Sequence, residues 1–326
     1  MLLLAAAALS LTSCKESAPQ KEKQKPAPEI PQVNVPVFSQ DSAYAYVKKQ
    51  LSFGPRVPNS PAHRACANWM IDFLKAQPGA KVFVQSDVVD GFDLQGRPVK
   101  LSMQNIIASF NPDVKRRIMI SAHWDTRPFA DEDDERQQEP IPGANDGASG
   151  IGVLLELARH LHQLPPNIGV DLFLWDAEDH GNPDPNIQDS YCLGSQYWAR
   201  NPHIAGYNAM YGINLDMVGA ENALFKKEGF SMQYASHIVD KVWKTGQRLG
   251  YGRYFTNTEV RGVIDDHLYI NIWAKIPCIN IIDLPDSGAD RLFFEQWHTH
   301  DDDLDVISAE PLGAVGHTLL EVVFRE

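Results

Sequence analysis

Positive charge is scarce in this chain: 29 lysines and arginines face 42 aspartates and glutamates, a formal net charge of −13. A surface so poor in cations excludes extended phosphate binding, so nucleic acid is not an expected partner. The field suits a neutral or positive ligand, such as a peptide amino terminus, better than an acidic one. Cysteine is scarce as well, with 4 in 326 residues. Setting Cys14 aside leaves Cys66, Cys192 and Cys278, an odd number that permits at most one disulfide and rules out a disulfide scaffold. There is no internal repeat. The apolar run at residues 2–11 is too short to span a bilayer as a stable helix.

That run has the length of a signal-peptide core. It ends in Leu11-Thr12-Ser13-Cys14, which resembles a bacterial lipobox, so residues 1–13 are expected to be removed and Cys14 to carry lipid. Residues 14–33 are rich in Lys, Glu, Pro, Ser and Gln and cannot bury enough surface to fold, which reads as a flexible tether. The expected location is the bacterial cell envelope, with the catalytic domain outside the cytoplasm, in the periplasm, and associated with the membrane only through the lipid on Cys14.

Residues 34–326 read as one domain, since 44% hydrophobic content suffices for a single large core. Asp41-Ser42 and Ser60-Pro61 mark the starts of two amphipathic helices. Residues 82–89, 101–110 and 117–122 then read as strands. A helix over 148–164 follows, with strands at 170–175, 209–215 and 278–282 and helices at 231–249, 267–274 and 311–324. A strand cluster followed by alternation predicts an α/β fold, one mixed sheet with helices on both faces.

Acidic clusters and histidines fall where the strand-like runs end. The run 117–122 delivers His123-Trp124-Asp125, 170–175 delivers Asp176-Ala177-Glu178-Asp179, and 211–215 delivers Asp216. Asp265-Asp266-His267 and Trp297-His298 come later, and Asp146 lies in a glycine-rich turn before the strongest helix. Open α/β sheets bind ligands at the carboxyl ends of their strands. Carboxylates and histidines gathered there suit a divalent metal with a general base beside it. The adjacent carboxylates Glu178 and Asp179 repel each other when desolvated unless a cation compensates. If the strand persisted through them, they would point to opposite faces and take different tasks. The runs 131–135 and 301–303 read as solvated loops, and His160 and His162 as the polar side of a helix.

In order, Ser52-Phe53-Gly54-Pro55-Arg56, Ala122 to Asp125, Gly143 to Ala148, Phe173 to Asp179, Leu215 to Gly219, Asp265 to His267 and Trp297 to Thr299 resemble the glutaminyl cyclases, which share the fold of zinc-dependent aminopeptidases. The resemblance implies that Asp146, Asp179 and His298 hold a single zinc, with Glu178 as the acid/base and Trp297 lining the substrate pocket. It implies that Asp216 and Asp265 form a hydrogen-bonded acidic pair sharing a proton. The implied reaction converts an amino-terminal glutamine of a peptide or protein to pyroglutamate with release of ammonia. Three features depart from the animal enzymes: Asp179 replaces a glutamate, Asn280 stands where they have a pocket histidine, and His180-Gly181-Asn182-Pro183-Asp184 lacks their pocket tryptophan.

A dizinc aminopeptidase would use His123, Asp146, Asp179, Asp216 and His298 as ligands, and all are present. An Asp216–Asp265 bond would draw Asp216 away from a second metal and favour the cyclase. A non-catalytic peptide-binding relic would be expected to have lost a ligand or the base, and none is lost.

Overall fold

The computed structural model describes residues 33–184, 187, 189–285 and 292–326. The expected targeting segment, Cys14 and nearly all of the expected tether lie outside the described residues. Residues 34–326 form one compact unit.

Helix α1 (Gln40–Leu51) is capped by Ser39, two residues before the expected Asp41, with the Ser39 hydroxyl accepting from the Ser42 N–H. Helix α2 (Pro61–Lys75) begins as expected, with Ser60 as cap and proline in its first turn. Strands β1 (Lys81–Phe92) and β2 (Pro98–Phe110) form a long antiparallel hairpin. Then come β3 (Arg117–His123), α3 (Ala148–Ala158), β4 (Gly169–Trp175), α4 (Leu193–Arg200) and β5 (Tyr211–Asp216). A short parallel pair, β6 (Phe225–Lys227) and β7 (Phe255–Glu259), flanks α5 (Gly229–Arg248). Helix α6 (Asp266–Tyr269) runs into a π-helical turn at Ile270–Ala274, followed by β8 (Cys278–Ile282) and α7 (Ala309–Phe324).

The main sheet has the order β1-β2-β4-β3-β5-β8. Its β1-β2-β4 side is antiparallel and β4-β3-β5-β8 is parallel, so it is the mixed sheet the alternation predicts. Helix α3 lies tightly on one face: a Cβ on Gly150 would come within 2.7 Å of Ala122 Cβ. On the other face Met119, Phe173, Trp175 and Cys278 pack with Trp198 of α4 and Ile270, and the Phe173 and Trp198 rings meet edge to face at 4.9 Å.

Helix α3 is shorter than the expected 148–164. At its end Arg159 and His160 donate to carbonyls three residues back, which tightens the last turn into a 3₁₀ segment at Leu161–Gln163. His160 therefore leaves the helix face and lies 3.0 Å from Glu156. Cys66, Cys192 and Cys278 are all free and buried, so they form no disulfide.

From β3 the chain crosses to β4 on one side and later to β5 on the other. Strand order thus reverses beside β3, and the carboxyl ends of β3, β4, β5 and β8 share one rim, where a crevice opens in folds of this kind.

Candidate active site and metal centre

The seven expected site residues meet at that rim. Asp146, Glu178, Asp179, Asp216, Asp265, Trp297 and His298 all line one cavity of about 750 Å³. Their positions follow from the local backbone. Strand β3 ends at His123 and β5 at Asp216. Gly147, at φ 95°, starts α3 where a Cβ would fall 2.5 Å from the Asp125 carbonyl oxygen, and it leaves Asp146 facing the rim. Asp265 caps α6 by accepting from the Asp266 N–H.

Glu178 and Asp179 are not an extension of strand β4, which ends at Trp175. Ala177 turns the chain at φ 54°, and the Asp125 carboxylate accepts from the N–H groups of both Glu178 (3.0 Å) and Asp179 (3.2 Å). The two side chains diverge because of this turn and not because of a strand pleat. Ala177, Asp189, Cys192, Met217 and His298 all have positive φ without being glycine. Such backbone costs of order 1 kcal/mol per residue and concentrates at sites whose geometry is imposed by the surroundings.

Asp146, Asp179 and His298 are buried, and one donor atom from each lies within 4.8 Å of the others. His298 Nε2 is 3.1 Å from Asp179 Oδ1 and 3.8 Å from Asp146 Oδ2. Asp179 Oδ2 is buried without a hydrogen-bond partner among the described residues. Two carboxylates and an imidazole, one oxygen still unpaired, make a donor set that fits a divalent ion and leaves room for a further ligand from the cavity. A second group, His123, Asp146 and Asp216, also falls within 4.8 Å, with His123 Nε2 at 3.0 Å from Asp146 and 3.3 Å from Asp216.

Electrostatics separates the carboxylates. Burial pushes Glu178 well above the usual carboxylate range, reinforced by the neighbouring Asp266, Asp179 and Asp265. Burial and then Asp146 raise Asp179 to about 6. Burial, with Asp265 nearby, raises Asp216 to about 8. Asp146 is held down against its burial, chiefly by His123. A carboxyl that burial makes a weaker acid than usual suits a group that donates as well as accepts protons.

Asp216 and Asp265, expected as a hydrogen-bonded acidic pair, each have further partners, and Asp265 helps to raise Asp216. Asp216 turns to His123, whereas Asp265 accepts from Asn214 Nδ2 (3.2 Å), Asn280 Nδ2 and the Asp266 N–H. The physical reason is a row of amides on one sheet face. Ser121, Asn214 and Asn280 hydrogen-bond in sequence across β3, β5 and β8, and the row ends on Asp265. Asn280 therefore sits beneath Asp265, holding it, and is absent from the cavity wall.

Two acidic runs read as solvated loops send side chains to the site. Asp302 is fully buried, and its carboxylate accepts from the N–H groups of Asn145 (2.7 Å) and Asp146 (3.0 Å), shaping the turn that carries Asp146. Asp131 accepts two bonds from buried Arg127 and lies 3.1 Å from His298 Nδ1. Asp133 Oδ2 lies 2.6 Å from His300 Nδ1. Arg56, from the Gly54-Pro55-Arg56 motif, is buried and donates to the carbonyls of Trp124 (3.2 Å), Pro142 (2.7 Å) and Gly143 (2.7 Å), joining the loop after β3 to the loop before α3. Cys192, considered in the sequence only for disulfides, contacts Glu178.

Residues 105–323 match the model of peptidase family M28. Glutaminyl-peptide cyclotransferase of Bos taurus is 28% identical over 229 residues, covering 62% of this chain and 60% of that protein, so the match spans about three fifths of the curated relative's length. Glutaminyl cyclase of Bacteroides thetaiotaomicron, solved bound to N-acetylhistamine, is 48% identical and superposes with a TM-score of 0.84 over 90% of this chain and 100% of that one. A Zn-dependent exopeptidase from Parabacteroides distasonis is 45% identical, with a TM-score of 0.85 over 90% and 100%.

Proposed function

This chain belongs to peptidase family M28, and on that premise we propose that it is a zinc-dependent glutaminyl-peptide cyclotransferase, acting on peptides or proteins with an amino-terminal glutamine. The observation that carries this reading is the placement of Glu178 in the wall of the cavity that Asp146, Asp179 and His298 also line, with Trp297 beside them. The 48% identity to a glutaminyl cyclase over that chain's full length supports it further.

In this reading Asp146, Asp179 and His298 hold one zinc. The ion, when bound, supplies a Lewis acid for the oxygen of the substrate's γ-carboxamide. Glu178 accepts the proton that the α-amine loses as its nitrogen attacks the carboxamide carbon Cδ, and returns a proton to the carboxamide nitrogen, which leaves as ammonia as the Cδ–N bond breaks. Asp216 and Asp265 line the same cavity and supply acceptors for the amine, so that the glutaminyl side chain is held folded toward its own nitrogen. Trp297 bounds the pocket and stacks on His298, ring centroids 3.5 Å apart. The cavity, at about 750 Å³, leaves room for residues that follow the glutamine.

The second reading, a dizinc aminopeptidase, is kept because His123, Asp146 and Asp216 also converge. Assay of zinc per chain together with ammonia release from a glutaminyl peptide separates the two. About one zinc with ammonia release supports the cyclase. Two zinc ions with release of free amino-terminal residues would establish the peptidase instead. Anchoring through Cys14 at the cell envelope is part of the proposal, supported by the sequence of residues 1–14 alone, and metabolic labelling with palmitate tests it.

A further inference from the structure

The acidic excursion after Arg127 folds back onto the metal centre. Ala130 N–H donates to Glu139 O, and Glu132 N–H donates to His298 O (3.3 Å). Asp133 receives the His300 N–H at 3.0 Å in addition to contacting its ring. Inside this clasp, Arg127 holds both oxygens of Asp131, at 3.0 and 2.7 Å. The same guanidinium donates to the carbonyls of Asp179 (3.0 Å) and Gly181 (2.7 Å). Asp131 Oδ1 then lies 3.1 Å from His298 Nδ1, an ion-pair contact that is off the line of an N–H on that nitrogen, while the opposite ring nitrogen faces Asp179 and Asp146. The flat of the ring is covered by Trp297.

We propose that Asp131, held by Arg127, is the positioning residue of the metal centre: it takes the Nδ1 side of His298 and thereby presents Nε2 to the ion. The inference rests on His298 being a ligand, but on neither choice of reaction. An imidazole can rotate about its side-chain bonds and carry its proton on either nitrogen. A fixed carboxylate at Nδ1 selects the orientation and the proton position that leave Nε2 free to coordinate. Arg127 adds a second constraint, because one side chain grips both the orienting carboxylate and the backbone of the ligand Asp179. The expected cost of losing such an outer contact is about 10–100-fold in metal affinity.

The test is zinc affinity of the full chain by chelator competition, for the wild type and for Asp131→Asn, Asp131→Ala and Asp133→Asn. Asp131→Asn keeps the shape and an acceptor for Arg127, so it is the variant expected to fold. It should bind zinc about 10-fold more weakly and Asp131→Ala about 100-fold more weakly, whereas Asp133→Asn, which loosens the same clasp without touching His298, stays near wild type. Wild-type affinity in folded Asp131→Asn and Asp131→Ala would overturn the inference. So would an equal loss in Asp133→Asn, which would reduce Asp131 to a part of the clasp. A second readout needs no substitution: nitrogen-15 spectra of the zinc-loaded wild type should show the His298 proton on Nδ1, and a proton on Nε2 would sink the idea. A wild-type chain without zinc affinity would instead overturn the reading of His298 as ligand.

Discussion

The thiol of Cys192 donates to Glu178 Oε1 across 2.9 Å, and the Cys192 N–H donates to the Glu178 carbonyl at 2.8 Å. Cys192 itself is buried and left-handed, at φ 57°, immediately before α4. The carboxyl proposed to transfer protons is thus held by one residue at both its backbone and its side chain. Removal of the thiol frees the carboxyl to rotate without altering the metal ligands. Cys192→Ala is expected to lower kcat about fivefold, the equivalent of a net hydrogen bond of about 1 kcal/mol, with KM and zinc content unchanged. Cys192→Ser should restore most of the rate, because a hydroxyl can donate from the same place. Steady-state kinetics of both variants decides, and an alanine variant with wild-type kcat would refute the role.

Glu178→Gln keeps the shape of the side chain and removes its proton exchange. Turnover should fall by about 10²–10⁴ while the zinc content stays that of the wild type. Loss of the metal together with activity would mean that Glu178 is a ligand.

His123 separates the two readings of the metal centre. In the one-zinc enzyme His123→Ala leaves zinc per chain unchanged, since Asp146, Asp179 and His298 remain. In the dizinc enzyme it removes one ion. Metal analysis after exhaustive dialysis is the measurement.

Acid stability has a defined source in Glu228. This buried carboxylate accepts from the N–H groups of Phe230, Ser231 and Val263 and contacts His267 Nε2 at 3.0 Å. Burial opposes its ionisation, but His267 and the backbone donors outweigh burial and hold it down to about 2 from the ordinary 4.5. A depressed carboxylate stabilises the fold above its unfolded value and loses that contribution as pH falls toward the folded one. The stability difference between wild type and Glu228→Gln should therefore be full at pH 6 and shrink steadily below about pH 4.5. Thermal unfolding of both proteins from pH 6 to pH 3 checks it, and a difference independent of pH would exclude ionised Glu228 as the cause.

The sequence disclosed the sheet, the helix starts at Ser60 and Asp265, and every member of the site cavity named from it. Those features are local: an apolar run of strand period ends, and a carboxylate or histidine follows. What it hid is geometric. Asp302 and Asp131 stand in acidic runs that look alike residue by residue, and nothing in the chain marks Asp302 as buried while Asp301 and Asp303 are not. Nor does it mark that Asp265 is held by the amides of Asn214 and Asn280, which come from strands far apart in sequence. Helix α4 escaped notice because its eight residues lack a side-chain cap, and Cys192 starts it in a conformation that favours glycine.

Asp302 reaches back 156 positions to hold the amide of Asp146. The consequence concerns the order of events in the life of the chain. On the proposed ligand set, a polypeptide that ends before His298 carries two of the three ligands and lacks the carboxylate that shapes the turn bearing Asp146. Such a partial chain should hold the ion weakly, so metal capture is expected to follow the arrival of residues 298–302 rather than to precede it.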